Sequence, residues 1–134
     1  MIVRHFEDIQ RSDRAVHGDN WSSFRLLTAQ DGMGFSFHET WIHAGTETHI
    51  WYKHHLEAVY CIAGEGEIVP LLDDGTAPAR GQPIRIHPGM MYALNDHDRH
   101  LLRAHSQLRL VCVFNPPLRG DETHGPDGAY PAPD

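Results

Sequence analysis

Glu57, Tyr92 and His100 are the side chains whose types and surroundings point most directly to chemistry. Each lies in or beside a short apolar run typical of a β-strand, and strand residues of matching parity face the same side of a sheet. The three side chains can therefore converge inside a barrel although they are far apart along the chain. Carboxylate, phenol and imidazole form an oxygen-rich ligand set that suits Fe(II), Mn or Zn and leaves positions open for a substrate. The spacing also fits an alternative without chemistry, in which Glu57 is an edge charge, Tyr92 a core aromatic and His100 a strand-end surface residue.

Two short motifs of metal-binding cupin barrels are partly reproduced in the sequence. The first motif runs Gly, His-x-His, Glu, Gly, and its second half is matched by Glu57 and Gly64. Its His-x-His positions carry no histidine, because they fall on Ile50 with Tyr52 or on Trp51 with Lys53. In the second motif Gly81 and the HPG at 87–89 lead to Tyr92, where a metal-binding histidine normally stands. A phenol thus replaces an imidazole.

His100 offers a third donor to this set. It closes the stretch MYALNDHDRH, and a hairpin around NDHD at 95–98 would bring it back beside Tyr92. The set contains no thiolate, the soft ligand typical of closed structural zinc sites. Iron is therefore the first expectation for the metal.

The bulk composition indicates one acidic domain. A chain of 134 residues is long enough for one core and short for two. The 18 acidic and 11 basic residues give a net charge of −7, which argues against nucleic acid or anionic membranes as partners. Charges interrupt the first ten residues, where a secretory signal would be apolar, and no run approaches the roughly 20 apolar residues of a membrane span. We expect a cytoplasmic protein, with Cys61 and Cys112 buried and reduced in their apolar runs.

Short runs rich in β-branched and aromatic residues recur through the chain, separated by Gly, Pro, Asp and Asn. Such spacing predicts an all-β fold, here an antiparallel jelly-roll barrel of the cupin type forming a single domain over 1–134. A short helix is expected within 5–14. The barrel should span 1–120, and the Gly- and Pro-rich end at 121–134 should form a mobile tail or lid. The predicted strands are SSFRLLTA, GFSFHETWI, THIWYK, EAVYCIA, GEIVPLL, PIRIHP, MYALND, HLLRAH and LRLVCVFNP.

Several stretches together resemble the ectoine synthase family nearly from end to end. They are DGMGFSFH at 31–38, GTETHIWYKHHLEAVYCIAGEGE at 45–67, HPGMMYALNDHDRH at 87–100 and GDETHGPDGAYP at 120–131. The resemblance implies a dimeric, iron-dependent cupin and a hydro-lyase activity. That activity closes N-γ-acetyl-L-2,4-diaminobutyrate into ectoine, a compatible solute that protects cells from salt stress, with loss of water.

The resemblance also implies roles for individual residues. The implied metal ligands are the three spacing candidates, Glu57, Tyr92 and His100. The implied substrate-binding residues are Trp21, Arg25, His38, Thr40 and Phe114. The implied catalytic residues are Tyr52, His55 and Glu122, with Glu122 or His55 as base and Tyr52 as a hydrogen-bonding or acid group.

Some finer expectations accompany these roles. Arg25 can clamp a carboxylate in a bidentate way, and Trp21 should share its strand face. His54 should point outward, and His124 should lie at the surface or behind the site. The stretch at 73–86 looks longer than the matching turn in the family, a change that a surface turn tolerates.

Two other functions stay open on the sequence alone. The first is a cupin that binds a small molecule without catalysis, in which the pocket would persist without turnover. The second is an iron-dependent cupin dioxygenase, which usually brings more histidine ligands than this sequence offers.

Overall fold

The computed structural model describes residues 1–78 and 82–133, and within these ranges the fold is almost entirely β. Gly81 of the second motif and part of the turn at 73–86 lie outside the described residues. No helix in the described ranges is long and apolar enough to cross a membrane. The elements are helix α1 Phe6–Gln10, strands β1 Ala15–His17, β2 Trp21–Leu27, β3 Ser36–Ile42, β4 Glu47–Ile50, β5 Leu56–Ala63, β6 Gly66–Pro70, β7 Ile84–Ile86, β8 Met91–Leu94, β9 His100–Ala104 and β10 Leu108–Asn115, and a 3₁₀ turn at Ala29–Asp31.

The strands of the described ranges form two antiparallel sheets. The first has the order β1-β2-β3-β10-β5-β8, and the second has the order β4-β9-β6-β7. Apolar side chains of both sheets interlock between them, including Ile42, Val59, Leu102 and Leu110, each at most 3% exposed. The prediction of an all-β barrel with one short helix is confirmed, and nine of the ten strands fall within or overlap the predicted runs.

One row of paired residues across the first sheet explains how distant side chains come to face the same space. Arg25 lies opposite His38, His38 opposite Cys112, Cys112 opposite Val59, and Val59 opposite Tyr92. Directly paired residues project from the same face of a sheet. Because Val59 is buried in the core, the whole row points inward.

The expected hairpin between Tyr92 and His100 is wrong. Strand β8 pairs with β5 in the first sheet, whereas β9 pairs with β4 and β6 in the second. The chain crosses between the sheets through His97, which has a left-handed backbone (φ 50°) and binds the carbonyl of Tyr52 through Nδ1 at 2.8 Å. A turn rich in Asn and Asp marks a change of direction without saying which sheet comes next.

Helix α1 covers the outer face of the first sheet. Phe6 packs against Phe24 at 5.0 Å and Trp41 at 5.8 Å between ring centroids, so the outer side of β2 is buried as well. The helix ends at Gln10, earlier than the expected 5–14, because the Ser12 hydroxyl donates to the carbonyl of Ile9 at 2.8 Å and starts a turn.

Candidate active site

A small cavity lies between the two sheets. Six of the predicted site residues line it: Trp21, Thr40, Tyr52, Glu57, Tyr92 and Phe114. The other five predicted site residues are each 5% exposed or less and lie around the cavity without lining it. They are Arg25, His38, His55, His100 and Glu122. The structure therefore gathers the predicted residues into one region.

Glu57 and Tyr92 stand on neighbouring strands and share the cavity wall. Burial raises the pKa of Glu57 to about 8, although a hydrogen bond with Cys112 works in the opposite direction. Burial, followed by the nearby carboxylate of Glu57, raises the pKa of Tyr92 well above its usual value. In both groups burial favours the protonated, neutral form.

His100 approaches from the second sheet. It lines a second depression of about 140 Å³ together with Tyr92, which also faces the main cavity. Its Nδ1 donates to the carbonyl of Asp98 at 3.0 Å, and burial lowers the pKa of the ring. A neutral imidazole oriented in this way has a free lone pair on Nε2, the arrangement usual in metal-binding histidines.

These three side chains fit a divalent cation in their chemistry. Within residues 1–78 and 82–133, no three His, Cys, Asp or Glu side chains cluster as a metal site among themselves. The proposed ligand set is of another kind, because its phenol comes from Tyr92, which is not one of these four residue types. The partly buried carboxyl group of Glu57 has no cationic partner among the described contacts, and a metal ion would supply a positive charge there.

Arg25 and Glu122 form a buried pair beside the cavity. Arg25 donates from Nη2 to the carbonyl of Glu122 at 2.7 Å and from Nε to the hydroxyl of Ser23 at 3.2 Å. Its Nη1 lies 3.5 Å from the Glu122 carboxylate but makes no hydrogen bond. The carboxylate itself accepts the backbone N–H groups of Arg119 and Gly120 at 2.7 and 2.8 Å. Burial raises the pKa of Glu122, but these backbone bonds outweigh it and the net pKa is lowered.

His55 and His38 are buried imidazoles with unsatisfied nitrogens. Neither Nδ1 nor Nε2 of His55 has a hydrogen-bond partner, and burial lowers the pKa of the ring. His38 contacts the hydroxyl of Ser23 through Nδ1 at 3.3 Å, whereas its Nε2 is unpaired. Burial, then the charge of Arg25, lowers the pKa of His38. Burial thus favours the neutral form of both rings, and His38 can make one more hydrogen bond to a ligand and His55 two.

The expectation for His124 is wrong, because this residue lines the cavity. Its Nε2 lies 2.8 Å from the hydroxyl of Tyr52, and its ring packs against Trp21 at 5.2 Å. The indole of Trp21 is fixed from the other side by Gly18, where a Cβ would overlap the ring. His54 is exposed as expected, and Trp21 and Arg25 share one strand face.

Tyr130 is a site residue that the sequence reasoning missed. It follows the last strand by fifteen residues, yet it is 5% exposed and lines the cavity. Its ring stacks on Tyr52, with centroids 5.0 Å apart and planes 16° apart. An aromatic residue in the Gly- and Pro-rich stretch GPDGAYP was the available signal, since such residues seldom stay in solvent.

Comparison with known proteins places the chain in a family. A family model described as ectoine synthase matches residues 1–134. An L-ectoine synthase of Desulfatibacillum aliphaticivorans is 58% identical over 138 residues, covering 100% of this chain and 99% of that protein. One of Halalkalibacterium halodurans is 52% identical over 134 residues, covering 100% and 98%.

Solved structures agree with this placement. The crystal structure of ectoine synthase from P. lautus matches with a TM-score of 0.81 at 55% identity, covering 90% of this chain and 81% of that chain. An oxalate decarboxylase from Bacillus subtilis matches at 14% identity with a TM-score of 0.64, covering 84% and 28%, and shares the cupin fold alone. A match along the whole chain, with half or more of the residues identical to named relatives, means that the chain belongs to the ectoine synthase family.

Proposed function

We propose that this chain closes N-γ-acetyl-L-2,4-diaminobutyrate into ectoine, with loss of water, in the cavity between the two sheets. The observation that carries the proposal is the family match over residues 1–134. The reaction makes it a hydro-lyase, and the product would serve as an osmoprotectant. The substrate's α-amine attacks its own amide carbonyl carbon, so the site must bend the chain, bind its carboxylate and move protons.

Glu57, Tyr92 and His100 are the proposed ligands of Fe(II), and Zn or Mn suit the same donors. When bound, a divalent cation supplies Lewis-acid polarisation of the amide oxygen. Support comes from the imidazole of His100, whose Nδ1 donates to the carbonyl of Asp98, and from the carboxyl group of Glu57 in the cavity wall. Tyr92 links the two groups, because it lines the main cavity with Glu57 and the second depression with His100.

Substrate positioning is assigned to the residues around the cavity. Nη1 of Arg25, which makes no hydrogen bond, is a buried cationic donor suited to the substrate carboxylate. Trp21 and Phe114 pack against the carbon chain of the substrate. Thr40 and the unpaired Nε2 of His38 offer hydrogen bonds to its polar groups. Holding amine and carbonyl together in this way contributes several kcal/mol to catalysis, an effect of about 7–11 kcal/mol at its largest.

His55 is the better of the two base candidates. Its ring is neutral and has both nitrogens without partners, so it can take the proton of the attacking amine. Glu122 is a weaker base, because two backbone N–H groups stabilise its charged form and lower its pKa. It holds Arg25 in place instead. Burial raises the pKa of Tyr52 well above its usual value, so Tyr52 keeps its proton and acts as the hydrogen-bonding or acid group.

We also propose a homodimer in the cytoplasm. The outer face of β5 and β8 exposes a patch of apolar side chains beside the edge strand β8, and the extended N-terminus exposes Met1 and Val3. A second copy of the chain can cover both surfaces. Buried Cys61 and Cys112, not bonded to each other, suit a reducing compartment. The patch comprises Leu56, Tyr60, Ile62 and Met91.

The test is an anaerobic assay of the Fe(II)-loaded chain with N-γ-acetyl-L-2,4-diaminobutyrate, with ectoine followed by chromatography. We expect ectoine from the loaded chain and none from a metal-stripped sample of the same preparation. A folded, iron-loaded chain that produces no ectoine would contradict the proposed activity. Equal turnover in the stripped sample would contradict the metal requirement while leaving the activity in place.

A further inference from the structure

The C-terminal segment carries an aromatic side chain into the middle of the proposed substrate site. The ring of Tyr130 stacks on Tyr52 and meets Phe114 edge-on, with 5.6 Å between the latter two centroids. The ring also lies 5.7 Å from the guanidinium carbon of Arg25 and 6.3 Å from the ring of His55. Tyr130 therefore contacts the aromatic wall of the cavity and lies beside the buried Arg25 and His55.

The space that remains is too small for the substrate. The cavity retains a volume of about 30 Å³, which holds no more than a few water molecules. A substrate with an acetylated four-carbon amino acid skeleton is larger than a phenol ring. The substrate and the ring of Tyr130 cannot occupy this cavity together.

The polar atoms beside the ring lack the partners that buried groups normally have. In the described part of the chain, the buried side-chain nitrogens without a hydrogen bond are Nη1 of Arg25, Nε2 of His38 and both ring nitrogens of His55. Unpaired buried polar groups are rare and costly, and a cluster of them offers hydrogen bonds to a polar ligand or to water. An aromatic ring next to Arg25 and His55 excludes that ligand without replacing its hydrogen bonds.

We propose that Tyr130 is an internal occupant of the substrate site and that the substrate binds by displacing its ring. This inference deepens the proposed function and rests on it, because the displaced volume is the one assigned to N-γ-acetyl-L-2,4-diaminobutyrate. Tyr130 thus sets the apparent affinity for substrate, since the chain binds only in the fraction of time that the ring is withdrawn.

The segment that carries Tyr130 is held by contacts at the surface. The N–H of Trp51 donates to the carbonyl of Gly128 at 2.9 Å, and Lys53 pairs with Asp127 at 2.6 Å. Both charged side chains are about one-third exposed or more, so this ion pair is weak and can open. Gly128 has φ 80°, and a Cβ there would approach His49 to 2.7 Å at Nδ1 and 2.9 Å at the carbonyl.

A groove leads from solvent to this segment. It has a volume of about 430 Å³, and its walls include Trp21, His124 and Gly128. Trp21 and His124 also line the closed cavity, so the two spaces are separated by these rings and the adjoining segment. Withdrawal of 123–131 would join the groove to the cavity.

The experiment compares steady-state kinetics of the full-length, Fe(II)-loaded chain and its variants. Tyr130→Ala should lower KM on the order of tenfold while kcat changes little, because no ring must be displaced. Tyr130→Phe keeps the ring and loses only the hydroxyl that hydrogen-bonds with Tyr52, so its KM should fall less than that of Tyr130→Ala. Gly128→Ala should lower KM as Tyr130→Ala does, since it lifts the segment without altering the cavity wall. Pro133→Ala, an exposed change beyond the segment, is the matched control.

Calorimetric binding of ectoine to the same proteins separates the two proposals. A raised or unchanged KM for folded Tyr130→Ala would overturn the inference, because the ring would then support the bound substrate or lie apart from it. The unaltered chain could make no ectoine while the Tyr130→Ala variant binds ectoine more tightly than the unaltered chain does. That result would contradict the proposed activity and support Tyr130 as the internal occupant of the site. Equal ectoine affinity in both, or no binding by either, overturns the inference as well.

Discussion

The environments of single residues explain what each can contribute. His100 is buried and Glu57 lines the enclosed cavity, and loss of contact with water raises the pKa of the carboxyl and lowers that of the imidazole. A neutral imidazole is ready to bind a metal, whereas a neutral carboxyl must first lose its proton. Metal binding and proton release are therefore coupled at Glu57.

Removing any of the three proposed ligands should remove the iron. Glu57→Gln, Tyr92→Phe and His100→Ala each delete one donor with little change in volume for the first two. We expect less than about one-tenth of the iron per folded chain found in the unaltered protein, since losing a ligand weakens affinity at least as much as losing a partner of a ligand. Elemental analysis after desalting measures this, with exposed His54→Ala as the matched control. Stoichiometric iron in any ligand variant would exclude that residue from the site.

The two base candidates can be separated by their variants. His55→Ala should lower kcat about 10²- to 10⁴-fold, because it removes a proton acceptor. Glu122→Gln keeps the shape and should act mainly through Arg25, raising KM more than it lowers kcat. Steady-state kinetics with the acetylated substrate provide both constants. Near-normal kcat in His55→Ala would exclude His55 as the base. If Glu122→Gln instead lost kcat while His55→Ala mainly raised KM, Glu122 would be the base.

Motif spacing and strand parity pointed only to Glu57, Tyr92 and His100, while the family resemblance supplied the other predicted site residues. Glu57 and Tyr92 lie on strands, where parity decides which side chains face inward. Tyr130 and His124 lie in a stretch without regular structure, and no period there tells which side chain turns toward the barrel. Local pattern gives faces only where backbone geometry repeats.

Among the elements, connections were harder to predict than strands. Alternation of apolar residues placed strands such as β9 and β10, whose buried positions alternate along their length. The crossing from β8 to β9 was mistaken for a hairpin because both are marked by the same Asn and Asp residues. The three-residue strand β1 was not expected, since three residues are too few to show a period.

The turn between β5 and β6, where the chain passes from one sheet to the other, should be sensitive to an added methyl group at Gly64. Gly64 has φ 94°, and a Cβ would overlap the carbonyl of Gln107. Gly89 has nearly the same backbone, φ 92°, with no atom within 4 Å of a Cβ, and is the matched control. Gly89→Ala should reduce the free energy of unfolding by about 1–2 kcal/mol, the cost of a left-handed backbone.

Gly64→Ala carries the same backbone cost and a clash with main-chain atoms that cannot rotate away. We expect a total loss of about 3 kcal/mol or more. Urea unfolding of the two variants measures the difference. Equal losses would show that the Gln107 carbonyl moves aside at no cost, contrary to the packing described.

At the scale of the whole molecule, the apolar patch on β5 and β8 predicts the assembly. The unaltered chain should sediment at twice its mass of 15.2 kDa. Ile62→Lys puts a charge into the patch and should give monomers, whereas Leu72→Lys, an equally drastic change at a residue exposed outside the patch, should not. A monomeric unaltered chain, or dimers in both variants, would contradict an interface through this face.

The central place of β10 in the first sheet has a consequence for how the protein is made. This strand lies between β3 and β5, yet it is the last strand that the ribosome delivers. Until it emerges, β1-β2-β3 and β5-β8 are two separate fragments with open edges, and the row from Arg25 to Tyr92 is interrupted in the middle. During synthesis the sheet therefore cannot close until β10 has emerged, and a nascent chain stalled before Leu108 would present two unpaired edges to chaperones or to aggregation.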